Sequence, residues 1–80
     1  MSKIKTRKLS ELNSNVLAKV ISIKHDDYFT SKLEALGLTL NKTLKVSHKH
    51  NMHGPIIVEI NSTSFMLRSA DAEKIKVALL

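Results

Sequence analysis

Three stretches of this 80-residue chain alternate apolar and polar side chains with a period of two. Leu44, Val46 and His48 alternate with Lys45, Ser47 and Lys49, and Ile56, Val58 and Ile60 alternate with Ile57, Glu59 and Asn61. Ile75, Val77 and Leu79 end the chain in the same rhythm. Successive side chains of a strand point to opposite faces, so this period describes strands with one face on a core and the other in water. A fourth stretch, VLAKVISI at residues 16–23, is dense in β-branched residues. Its apolar positions run Val16, Ala18, Val20 and then Ile23, so the alternation slips near Ile21, as it does at a bulge or strong bend.

Between the first strand and the second the period changes. In HDDYFTSKLEALGL, Phe29, Leu33 and Leu36 fall at i, i+4 and i+7, one stripe of a short helix over about residues 27–36. Asp26 or Asp27 can cap its start by accepting backbone N–H bonds. Gly37 follows the stripe, where a helix ends in the left-handed conformation that glycine adopts without strain. The stretch HNMHGP then joins two strands as a hairpin, and Asn61 to Ser64 reads as a second turn before a short strand from Phe65 to Arg68. A helical turn near residues 70–74, with Ser69 as its cap, precedes the last strand. The expected fold is mainly β, a small SH3-like barrel of about five strands with one short helix, since closing a small sheet removes its edges.

A chain this short buries only about two thirds of its unfolded surface, so it forms one domain with a thin core. The expected division is a basic N-terminal tail at 1–7 and a single domain at 8–80. With no cysteine it has neither a disulfide nor a thiolate for zinc. Its longest apolar stretch, residues 16–23, is interrupted by Lys19 and falls far short of the roughly 20 residues that span a bilayer. The basic N-terminus is followed by polar residues where a signal peptide needs apolar ones. These features read as a cytoplasmic protein. Thirteen Lys and Arg against seven Asp and Glu give a formal charge of +6. Four of the basic residues, Lys3, Lys5, Arg7 and Lys8, crowd the N-terminus. Only three aromatic residues are present, few for a sheet that stacks RNA bases.

The motifs and their order resemble the FeoA family, the ferrous iron transport protein A domain. The resemblance rests on Leu9-Ser10-Glu11-Leu12, the strand ending at Ile23, and Lys32-Leu33-x-x-Leu36-Gly37-Leu38. It continues through Leu44 and Val46, Gly54-Pro55 before the strand 56–60, Met66-Leu67-Arg68, and Ala72-x-x-Ile75-x-Val77. Both glycines and the only proline fall inside these motifs. Similar proteins carry a glycine in the turn before the first strand, where this chain has Asn13-Ser14-Asn15, and Pro-Gly after the helix, where it has Leu40-Asn41. Asparagine is the best substitute for a left-handed glycine, so the fold is expected to survive both changes. The resemblance implies a small, non-enzymatic accessory protein of bacterial Fe(II) uptake, acting with the cytoplasmic GTPase part of the FeoB transporter. It leaves a homo-oligomer open. A related domain ends some iron-dependent repressors, attached to a DNA-binding part for which eighty residues leave no room.

Three histidines, His48, His50 and His53, lie in and beside the hairpin turn. Imidazoles brought together there would suit Fe(II) or Zn(II), but weakly: no carboxylate completes the set, and a turn tip lacks a second shell to hold the ring nitrogens. His25-Asp26-Asp27 is explained by a strand end and a helix cap rather than by catalysis. No Gly-rich phosphate loop, nucleophile elbow or paired-carboxylate site with the context of one is visible. For a partner surface the expectation is Met52, an adaptable apolar side chain at the hairpin tip, with Leu38 and Leu40 beyond the helix and Lys42 and Lys49 as a positive rim. Two other readings compete with it: an SH3-like nucleic-acid-binding protein using the basic tail, and a metal sensor using residues 48–53.

Overall fold

The computed structural model describes residues 5–24, 27–49 and 54–80. Among these residues six strands form one antiparallel sheet: β1 (Thr6–Lys8), β2 (Val16–Ile23), β3 (Thr43–Lys49), β4 (Ile56–Ile60), β5 (Thr63–Leu67) and β6 (Ile75–Leu79). Their order across the sheet is β1-β6-β2-β3-β4-β5. A 3-10 turn (Leu9–Glu11) follows β1, helix α1 (Asp27–Ala35) connects β2 to β3, and the one-turn helix α2 (Ser69–Ala72) precedes β6. Among the described residues the two outer strands, β1 and β5, do not pair, so the SH3-like sheet remains open where a full barrel would close.

The expected alternation produces the core. Ala18 and Val20 of β2, Leu44 and Val46 of β3, Ile56, Val58 and Ile60 of β4, and Ile75 and Val77 of β6 are all buried on one face. Leu9 and Leu12 from the 3-10 turn, Phe29 and Leu33 from α1 and Ala72 from α2 cover them, which makes one continuous cluster. No side chain buried in it is polar among the described residues.

Two irregularities steer the strands. The register shifts between Val20 and Ser22 of β2, where the sequence predicts a slip, and again between Val46 and His48 of β3. A bulge sets two residues against one and reverses the facing of everything beyond it. His48 therefore stands opposite Ile57 on the outer face, and Lys49 stands opposite the buried Ile56. The simple alternation of Leu44, Val46 and His48 thus ends one residue early.

Two of the three residues of strand β1, Thr6 and Arg7, lie in the segment expected to be a tail. All three of its side chains are exposed, and it is held by backbone pairing with β6, Thr6 to Ala78 and Lys8 to Lys76. A strand that buries no side chain leaves no apolar period to read. Glu11 Oε1 then accepts the Lys8 amide at 2.8 Å and turns the chain into the 3-10 segment. The turns follow the chemistry of their residues. Asn15 and Asn41 adopt φ of 67° and 70°, the left-handed conformation in which asparagine replaces glycine. Asn61 and Ser62, at φ 50° and 69°, form a two-residue hairpin that pairs Ile60 with Thr63, tighter than the expected four-residue turn. The short helix α2 starts after Arg68, whose carbonyl accepts the amides of Asp71 and Ala72; Ser69 is its first residue and not its cap.

Candidate partner-binding surface

Helix α1 ends at the glycine predicted for it. Gly37 sits at φ 89°, its amide donates to Glu34 O at 3.0 Å, and the Leu38 amide reaches back to Leu33 O at 2.9 Å. These two bonds satisfy carbonyls that the helix end would otherwise leave open, and the residue after the glycine packs onto the preceding turn. Leu38 and Leu33 are accordingly buried, at 0 % and 1 % exposure. Leu38 belongs to the core and cannot contact a partner. Leu36, read as part of the buried stripe, is instead 36 % exposed, because the chain leaves the helix there and Leu38 fills the space.

The chain next turns outward. Thr39 and Leu40 follow, and Leu40 is 55 % exposed. The segment is then fastened to β2: Asn41 N donates to Val20 O at 2.8 Å, and Lys42 O accepts Val20 N at 2.9 Å. Fixing the backbone on both sides of Asn41 holds Leu40 at the lip of a shallow groove of about 350 Å³, lined with Ile23, Thr30, Glu34 and Thr39. Lys42, two residues beyond Leu40, is exposed. Thr30 and Glu34, four apart on α1, place one polar wall opposite the apolar Ile23 and Leu40. Sequence reasoning missed Ile23, Thr30 and Glu34 as surface residues. The available signal was their spacing, since i and i+4 share a helix face.

Lys49 has a structural occupation. Its Nζ donates to Ser10 O at 2.6 Å, and its amide donates to Ser14 Oγ at 3.2 Å. It ties the end of β3 to the 3-10 turn and is not a free member of a positive rim. His48 is exposed on the outer face. Met52, His50 and His53, and with them the expected hairpin-tip surface and three-histidine set, lie outside the described residues. Among the described residues no group of three His, Cys, Asp or Glu side chains is arranged to hold a metal ion. No helix there is long and apolar enough to cross a membrane. Lys74 Nζ lies 4.9 Å from the centroid of the Phe29 ring, and joins α1 to the residue before β6.

The described residues form a small, mainly β, SH3-like domain with Leu40 exposed at the lip of a shallow groove. The FeoA domain model matches residues 7–79, and the chain belongs to the FeoA family, which is not an enzyme family. A Campylobacter jejuni protein described as "Putative Fe(2+) transport protein A" is 29 % identical over 72 residues, 90 % of this chain and 97 % of that one. Among solved structures, the crystal structure of an iron uptake regulatory protein (FeoA) superposes with a TM-score of 0.88 at 28 % identity, over 95 % of this chain and all of that one. A manganese-dependent transcriptional repressor superposes at 0.86 and 25 % identity over the whole of this chain, which spans 45 % of the repressor's length.

Proposed function

We propose that this protein is a small accessory component of bacterial ferrous-iron uptake that binds the cytoplasmic GTPase part of an FeoB-type transporter. Membership of the FeoA family and the similarity to a protein described as an Fe(2+) transport protein support the transport role. The observation that carries the binding role is Leu40, an aliphatic side chain held half exposed by backbone bonds on both sides of Asn41. Fixing a side chain before encounter lowers the entropy cost of association, and a leucine beside a shallow groove is the kind of anchor around which binding energy concentrates. Lys42 adds a positive charge beside that anchor and draws an acidic partner face towards it. The protein then works in the cytoplasm, at the inner side of the membrane that carries the transporter.

The test is calorimetric titration of the full chain against the isolated GTPase domain of the cognate transporter, without nucleotide and with GDP or a GTP analogue. Binding that falls at least tenfold on Leu40→Asp, while Lys32→Glu on α1 leaves it unchanged, supports the reading. Absence of binding in every nucleotide state overturns it for the isolated GTPase domain.

A further inference from the structure

Away from that groove, the outer face of β1, β6 and β2 carries lysines and, within these three strands, no acidic side chain. Register places Lys8 directly opposite Lys76, and Lys19 opposite Ala78, two residues further along β6 and so on the same face. All three lysines are exposed. Like charges facing each other across a strand pair repel, and the strands TRK, VLAKVISI and IKVAL contain no acidic residue to offset them. Aliphatic side chains share this face. Leu17, two residues from Lys19, is 51 % exposed, and Ile21 at the bulge is 37 % exposed. Leu80, whose amide meets Leu17 O at 3.4 Å, is 71 % exposed.

We propose that this face docks the domain on an anionic lipid surface, with Lys8, Lys19 and Lys76 among the phosphate headgroups and Leu17, Ile21 and Leu80 at the acyl boundary. Basic residues interleaved with exposed aliphatic ones are the pattern of a surface that lies in a membrane interface. A flexible ammonium suits headgroups that have no fixed positions, whereas a fixed carboxylate or phosphate is better met by the planar fork of arginine. The one arginine of these strands, Arg7, stands opposite the inward Val77 and donates to Thr6 O at 2.9 Å. Single-stranded nucleic acid is held largely by stacking on aromatic rings, and these three strands have none.

The experiment is sedimentation of the full chain with vesicles of phosphatidylcholine alone, with vesicles in which part of it is replaced by phosphatidylglycerol, and separately a titration with a single-stranded oligonucleotide. The protein is expected to pellet with the phosphatidylglycerol vesicles only, and less as salt rises. The triple variant Lys8→Glu, Lys19→Glu, Lys76→Glu is expected to lose at least about tenfold in affinity, and Leu17→Ser to weaken binding at every salt concentration. Lys76→Glu alone guards against misfolding of the triple variant: it converts a repulsive cross-strand pair into an attractive one, and is expected to stay folded while binding about fivefold more weakly. No binding to phosphatidylglycerol vesicles, binding that the lysine variants leave intact, or lysine-dependent binding to the oligonucleotide alone would each overturn the proposal. No transporter is present in this experiment, so its outcome and that of the calorimetric test are independent.

Discussion

The amide of Leu38 donates to the carbonyl of Leu33 at 2.9 Å, across a glycine at φ 89°. This bond decides the allocation of the two leucines that follow α1. It draws Leu38 back over the helix end and into the core, and Leu40, two residues further on, is left exposed at the groove.

The two leucines are therefore expected to respond in opposite ways to the same substitution. Leu38→Ala removes a fully buried side chain and should cost about 2–5 kcal/mol of stability. Leu40→Ala should change stability by no more than about 0.5 kcal/mol. Urea denaturation of both variants reads the difference directly. Similar midpoints for the two would show that Leu38 is not seated in the core.

Gly37→Ala tests the turn itself. Nothing lies within 4 Å of the added methyl, so the cost is purely the left-handed backbone. It is expected to be about 1–2 kcal/mol, with Gly37→Asn milder. The midpoint of urea unfolding should fall with its slope unchanged. A Gly37→Ala protein as stable as the parent would contradict the left-handed helix end.

Ser62 offers the reverse case. It holds φ 69° in the hairpin between β4 and β5, a conformation that favours asparagine or glycine. Replacing it with glycine makes the turn Asn-Gly, the strongest pairing for a two-residue hairpin. Ser62→Gly is expected to stabilise the protein by about 1 kcal/mol, measured as a rise in melting temperature. A fall would mean that the serine side chain contributes more than its backbone strain costs.

Lys42 and Lys49 were indistinguishable as rim charges in the sequence. Lys49 donates from its Nζ to Ser10 O at 2.6 Å in a part-buried setting, so Lys49→Met is expected to lose about 1 kcal/mol. Lys42→Met is exposed and should stay within about 0.5 kcal/mol of the parent. Equal stability of the two variants in urea would deny Lys49 its structural part.

Much of this architecture was written locally. Alternation marked β3, β4 and β6, the i, i+4 pair Phe29 and Leu33 marked the buried face of α1, and Gly37 marked its end. Asparagine stood at both positions where the related pattern carries a left-handed glycine, and both asparagines adopt that conformation. Such features are legible because they depend on a residue and its near neighbours: a side-chain period, or the steric freedom of one backbone position.

The tertiary structure decided the rest. It made a strand of Thr6–Lys8, which buries no side chain and is bound only through backbone groups that every residue carries. It shifted β3 by a bulge after Val46, which put His48 outside and turned Lys49 towards Ser10. It also sent Leu38 inward and Leu40 outward, although the two look alike in sequence. Pairing register and the far partner of a hydrogen bond are set by elements distant along the chain. Composition and spacing determined which segments would be strands and helix; only their assembly determined which side chains remained for a partner.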